Sequence, residues 1–198
     1  MEITERIIKA NLIENPLDLV PNFKSYISQN NEFQIISRKS SELDECTKKW
    51  IFELLEKNMK KIYEKSISGW NENFKLEELF DKNACYLIAY KNKKPVGYSH
   101  FRFDMDFENE VVYCYELQIE EDFRRFGLGK YLMEILENLC ENLELEKVML
   151  TVSKHNEIGQ SFFKKKMKYQ RDETDINDED PTIDYEILSK VFWEEDEI

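Results

Sequence analysis

The 198-residue sequence predicts an α/β domain, a mixed central sheet with helices on both faces. Three observations carry that prediction. Segments rich in Tyr, Val, Ile and Phe follow one another through the middle of the chain as strands. Before and after them, apolar residues recur at helical spacing. With five Gly and four Pro, no low-complexity linker and no internal repeat, the chain has no point at which to divide into two domains. The expected organisation is an N-terminal extension over 1–31, one domain over 32–190 and an acidic tail over 191–198.

Taken in order, residues 33–37 read as a short strand. Ser41-Glu42-Leu43-Asp44 fits a capping box, with Ser41 accepting from a free backbone N–H and the acid answering three residues on. Leu43, Cys46, Trp50, Leu54 and Ile62, with Leu55 and Met59 beside them, continue a long amphipathic helix to about residue 65. A short helical piece follows Gly69-Trp70, over 76–80. Residues 85–91, a turn at Asn92-Lys93-Lys94-Pro95, then 96–104 and 111–119 form an antiparallel meander. Helical spacing returns over 128–143. A buried strand over 148–152, a helix over 157–167, a strand near Tyr169 and a final strand over 183–188 complete the order.

Lys plus Arg number 28 against 41 Asp plus Glu, a net charge of −13, which excludes a general nucleic-acid binder. The charge is local: residues 172–198 carry −11 and residues 1–171 only −2. The run Asp172 to Asp180 fits either a solvated loop or a strip that attracts a cationic ligand. Cys46, Cys85, Cys114 and Cys140 lie too far apart for a zinc knuckle or redox motif and read as reduced thiols. His100 and His155 have no metal-ligand spacing, and no metal is expected. Neither a signal peptide nor an apolar run near the ~18 residues of a membrane span is visible, so the expected location is cytoplasm and nucleus, away from membranes.

The stretch Arg124-Arg125-Phe126-Gly127-Leu128-Gly129-Lys130 joins the 111–119 strand to the next helix. Two glycines there allow a tight turn and close approach to a ligand, and the helix start points free N–H groups and a positive dipole end outward. The same residues also fit a plain helix start. The Walker spacer and the third glycine of a dinucleotide fingerprint are both missing.

Arg-x-x-Gly-x-Gly after a Tyr-rich strand and before an amphipathic helix resembles the acyl-coenzyme A motif of the GNAT superfamily of N-acetyltransferases, whose element order matches. The stretches Cys85-Tyr86-Leu87-Ile88-Ala89-Tyr90, Ser99-His100-Phe101-Arg102-Phe103-Asp104 and Tyr113-Cys114-Tyr115-Glu116 narrow the likeness. So do Val148-Met149-Leu150-Thr151-Val152, Lys154-His155-Asn156 and Tyr185-Glu186-Ile187-Leu188-Ser189. Over about residues 50–189 the chain is similar to the N-alpha-acetyltransferase D family, which acetylates the amino termini of histones 4 and 2A, beginning Ser-Gly-Arg-Gly. The fold implied is the GNAT fold, the co-substrate acetyl-CoA and the partners basic protein N-termini.

The resemblance implies a role for each matching residue. Glu116 falls where the family places its catalytic carboxylate, as general base for a free amine, with the hydroxyls of Tyr113 and Tyr115 near the reacting atoms. Coenzyme contacts fall to Gln118, Ile119, Arg124, Arg125, Phe126, Gly127, Leu128, Gly129, Lys130 and Asn156. Tyr63, Asp104, Thr151 and Tyr185 match peptide-contacting positions. Without the resemblance, the residues alone favour Glu116 as an outward strand carboxylate and the tyrosines as core packing, while Asn156 fits a helix cap, a role that coexists with a coenzyme contact. Strict alternation puts Tyr113 and Tyr115 on one face and Glu116 on the other. A β-bulge, which the superfamily uses to splay two strands around pantetheine, would re-aim them, and a backbone N–H near Leu117 would polarise the thioester carbonyl. Ser68 stands where the family pattern carries tryptophan. The competing expectations are an acetyltransferase for other N-termini, lysine or polyamines, and an inactive coenzyme-binding interaction module.

Overall fold

All seven expected strands form, and an eighth precedes them. In the computed structural model, which describes residues 3–180 and 182–193, the strands are β1 (Ser25–Ser28), β2 (Asn31–Lys39), β3 (Cys85–Lys91), β4 (Lys94–Asp106), β5 (Asn109–Ile119), β6 (Lys147–Ser153), β7 (Gln170–Arg171) and β8 (Tyr185–Val191). They make one sheet in the order β1-β2-β3-β4-β5-β6-β8-β7. Every pairing is antiparallel except β5 with β6, which are joined through a helix as a parallel pair must be. The helices are α1 (Glu5–Leu12), α2 (Glu45–Tyr63), α3 (Glu72–Leu79), α4 (Leu128–Asn142) and α5 (Glu157–Ser161).

Two apolar layers hold the helices to the sheet. On one face α4 buries Leu128, Leu132, Ile135, Leu136 and Leu139 against Leu87, Phe101, Val112 and Leu150. On the other, Ile51, Leu54 and Leu55 of α2 and Leu79 of α3 pack on Tyr86, Ile88 and Tyr98. Residues 5–28, which fall in the expected extension, belong to the first layer: Ile7, Ala10, Leu17 and Val20 are buried there, and Arg6 of α1 pairs with Glu110. Residues 194–198 of the expected tail lie outside the described residues.

Local chemistry moved some boundaries. The cap of α2 is Asp44, whose Oδ1 accepts from the Thr47 N–H at 2.7 Å, while residues 40–42 form a single 3₁₀ turn, so Ser41 does not cap the helix. The helix expected over 157–167 ends early as α at Ser161 and continues as one wide turn over Phe162–Lys166.

Candidate active site

The centre of the site is an irregularity in β5. The ladder with β4 runs Tyr98 opposite Gln118, Ser99 opposite Leu117 and His100 opposite Glu116, then resumes with Phe101 opposite Cys114. Tyr115 is the extra residue of a β-bulge. Its consequence is that Tyr113, Tyr115, Glu116 and Gln118 all face α2 and α3, while Cys114, Leu117 and Ile119 join the layer under α4. The alternation that separated Glu116 from the tyrosines is thereby overturned. Beside the bulge, β5 and β6 pair only as far as Cys114 and Leu150. Beyond that point β6 stays paired with β8 and the two parallel strands part, opening a slot at the mouth of the glycine loop.

Aromatic rings floor the site. Tyr86, His100 and Tyr115 stack in a row, with centroid separations of 5.1 and 5.0 Å, and Tyr113 lies 4.8 Å from Tyr115. The Arg102 guanidinium sits 4.4 Å over the Tyr115 ring and donates to the Glu78 carbonyl at 2.6 Å. Burial, with Arg102 and Lys75 nearby, pulls the His100 imidazole down to a pKa of about 3, so it is neutral and no base at physiological pH. The Tyr113 hydroxyl is 2.5 Å from Thr151 Oγ1 across the slot, and burial pushes it up to about 12.

Glu116 is 5% exposed. One carboxyl oxygen accepts from Gln118 Nε2 at 2.9 Å; the other has no hydrogen-bond partner among the described residues and lies 3.7 Å from Lys75 Nζ. Burial raises its pKa to about 7 against the pull of Lys75 and Gln118. A carboxyl poised near neutrality with a free oxygen has the properties of a general base. Lys75, on α3, also pairs with Glu78 at 2.7 Å and sits 4.5 Å over the Tyr63 ring. Burial alone would depress its pKa, but Glu116, Tyr63 and Glu78 raise it, so it remains a cation.

The glycine loop presents its backbone. Gly127 caps α4 in the left-handed region at φ 86°, Arg125 has φ 69°, and a Cβ on Gly127 would lie 2.3 Å from the Tyr26 hydroxyl. That hydroxyl donates to the Phe126 carbonyl at 2.9 Å, so β1, which the sequence reading missed, braces the loop. Arg124, Arg125 and Lys130 are exposed and α4 has no side-chain N-cap. A cradle of free N–H groups with flanking cations fits a pyrophosphate, and beyond Cys114 and Leu150 the facing edges of β5 and β6 are not paired with each other, which leaves backbone groups there for an extended ligand. The Leu128 and Ile119 side chains point into the core, leaving only their backbones to face a ligand. Asn156 caps α5 by accepting from the Gly159 N–H at 2.9 Å.

The expected peptide-contacting residues share one face of the sheet. Thr151 and Tyr185 are exposed on β6 and β8, and Asp104 is half-buried on β4, its carboxylate accepting from the Met105 N–H. Beside Tyr63 the nearest large ring is Trp70, 6.0 Å between centroids, while Ser68 lies 3.1 Å from the Ser66 hydroxyl. The segment after α2 crosses to the one before β8, where the Ile67 N–H donates to Asp184 at 2.8 Å.

The acidic run is a folded loop. Asp172 is buried and pairs with Lys147 at 2.9 Å; Asp175 accepts from Arg171, Asn177 and the Ile187 N–H; Asp178 pairs with Arg171. Glu179 and Asp180 are exposed.

Sequence reading missed Lys75, Asn58 and Tyr26. A charged residue near the start of a predicted helix carries no signal of what lies across from it; only the fold supplies Glu116 as Lys75's neighbour.

Comparison with known proteins agrees with this architecture. A curated relative, the beta-lysine N(6)-acetyltransferase of Methanococcus maripaludis, is 28% identical over 111 residues, 56% of this chain and 39% of its own length, so the chain spans well under half of that relative. Among solved structures, the PaiA N-acetyltransferase of Thermoplasma acidophilum in complex with coenzyme A superposes with a TM-score of 0.58 at 17% identity, over 80% of this chain and 99% of that one. Arabidopsis thaliana Naa50, in complex with the bisubstrate analogue CoA-Ac-MVNAL, gives 0.55 at 18% identity over 80% and 99%. The profile of the acetyltransferase (GNAT) family matches residues 49–169, from the second turn of α2 through the bulged strand and glycine loop to Tyr169, and the chain belongs to that family.

Proposed function

We propose that this protein transfers the acetyl group of acetyl-CoA to the α-amine of a basic protein N-terminus, with histones 4 and 2A, beginning Ser-Gly-Arg-Gly, as the leading substrates. The observation that carries the reading is Glu116: a buried carboxyl with a pKa of about 7 and one free oxygen, brought by the bulge onto the same face as Tyr113 and Tyr115. An α-amine has a pKa of ~7.7–8.0, so near neutrality much of it arrives protonated and needs a base. Acetyl-CoA supplies an acetyl group activated as a thioester. Glu116 takes the amine's proton, directly or through a water. Tyr113, held by Thr151, keeps a protonated hydroxyl at the slot and is placed to return a proton to the departing thiolate. Asp104 offers a carboxylate to a cationic peptide.

Support for a peptide substrate comes from the neighbours solved with peptide-bearing ligands, Naa50 with CoA-Ac-MVNAL and the NatC complex with Gag peptide and CoA. The beta-lysine relative favours a second reading, a small amine as acceptor. Radiolabelled acetyl transfer to a Ser-Gly-Arg-Gly-Lys peptide, to the same peptide blocked at its amino terminus, to spermidine and to β-lysine separates them. Label on the free peptide alone is the expected result; equal labelling of the blocked peptide excludes an N-terminal acceptor, and a preference for β-lysine selects the second reading. The proposed cellular site of action is cytoplasm and nucleus.

A further inference from the structure

Glu116 is joined to the glycine loop by a chain of hydrogen bonds that can run in only one direction. Arg124 Nη2 donates to Asn58 Oδ1 at 2.7 Å, Asn58 Nδ2 donates to Gln118 Oε1 at 2.9 Å, and Gln118 Nε2 donates to Glu116 Oε2 at 2.9 Å. Arginine has donors only, so the Asn58 amide must turn its oxygen towards Arg124 and its nitrogen towards Gln118. Gln118 must then offer its oxygen to Asn58, which leaves its N–H for Glu116. That N–H is the single hydrogen bond to the carboxyl among the described residues.

We propose that Asn58 is a positioning residue, which orients the Gln118 amide so that it donates to Glu116 and keeps that carboxylate available as a base at neutral pH. The proposal rests on Glu116 being the base. It concerns α2, a helix that carries no expected catalytic group besides the peptide-side Tyr63. The other groups facing Glu116 are Lys75 and Glu78 from α3, Tyr63 from α2, Tyr86 from β3, and Tyr98 and His100 from β4, His100 lying directly opposite on the ladder; the Cys114 thiol lies behind it, on the α4 side of β5. Lys75 acts on Glu116 as a charge at 3.7 Å, and among the described residues only Gln118 acts through a directed hydrogen bond.

The test replaces the donor with an acceptor. In Asn58→Asp the new carboxylate still accepts from Arg124 but confronts Gln118 Oε1; the Gln118 amide turns over and its oxygen faces Glu116. Asn58→Leu removes the relay without adding charge, which separates orientation from electrostatics. The first readout is the Glu116 carboxyl titration in the coenzyme-free protein, followed by ¹³C NMR with Glu116→Gln assigning the resonance. The expected midpoint rises by about one pH unit in Asn58→Asp, a tenfold gain in proton affinity, and by about half that in Asn58→Leu. The second readout is the pH profile of kcat/KM, whose acid limb should move by the same amount. A midpoint unmoved in whichever variant folds, or a rate lowered evenly at every pH, overturns the relay. If Glu116→Gln keeps the wild-type rate, the base assignment fails, and the carboxyl titration still decides whether Asn58 orients Gln118.

Discussion

Replacing Glu116 by Gln should stabilise the protein while disabling it, and the gain should depend on pH. The carboxyl is 5% exposed, and burial lifts its pKa from 4.5 to about 7. The folded state therefore holds this proton more tightly than the unfolded chain. Its contribution is fully favourable below about pH 4.5, declines as pH rises towards about 7, and is flat beyond. A difference of about 2.5 pH units at 1.36 kcal/mol each sets the penalty for ionising Glu116 in place at about 3 kcal/mol, an upper figure because Lys75 loses an anionic neighbour in the variant. The amide matches the carboxyl in shape, can still accept from Gln118 and has no proton to lose. Urea unfolding of both proteins should give a stability difference that grows by up to about 3 kcal/mol between pH 4.5 and pH 8.5, or roughly 6–12 °C in Tm for a chain of this size. Turnover at pH 8 should fall on the order of 10²–10⁴-fold, the usual contribution of a general base. A stability difference that stays constant across that range would show that Glu116 is not desolvated, and an unchanged rate would remove it from the chemistry.

Gly127→Ala combines positive-φ strain with a Cβ at 2.3 Å from the Tyr26 hydroxyl; it should cost about 1–3 kcal/mol and weaken coenzyme A binding at least tenfold by calorimetry, and an unchanged Kd would mean that the loop geometry is irrelevant to the ligand. Asp175 is held down to a pKa of about 2, its burial being outweighed by the Ile187 N–H, Asn177 and Arg171. Its stabilisation is present above pH 3.8 and lost as pH falls towards 2, so Asp175→Asn should remove about 2 kcal/mol at pH 7 and little at pH 2; a loss equal at both would refute the assignment. Exposed Asp178, Glu179 and Asp180 should speed capture of a basic peptide, so kcat/KM on Ser-Gly-Arg-Gly-Lys should drop severalfold between 0.05 and 0.5 M salt, whereas a flat response would confine the acidic loop to holding β7 and β8.

Periodicity made most of the fold legible. The meander of β3, β4 and β5 is dense in β-branched and aromatic residues, and α4 keeps an uninterrupted apolar stripe, so each element announces itself. The elements missed were α1 and β1. The turn from β1 to β2 uses Gln29 and Asn30 at positive φ without the glycine that marks a hairpin, and α1 has only eight residues. Ser41 drew the helix start to the wrong residue because Asp44, three positions on, is an equally good cap and is the one that faces the Thr47 N–H.

The local sequence by itself determined the kinds of groups present: a carboxylate among tyrosines on one strand, and a glycine turn with basic neighbours opening a helix. These are short-range patterns, and the family resemblance rests on them. Only the tertiary structure decided that Glu116 joins the tyrosines on one face, since that depends on one extra residue in the pairing of β5 with β4, and register is a property of two strands together. It also decided the proton affinity of the Glu116 carboxyl, because Lys75, Asn58 and Tyr86 come from elements 30 to 58 residues away in the chain. The acidity took the same course. Its place at the end of the chain is plain from composition, but folding spends Asp172 and Asp175 on Lys147, Arg171 and backbone N–H groups, because a buried carboxylate must be hydrogen-bonded.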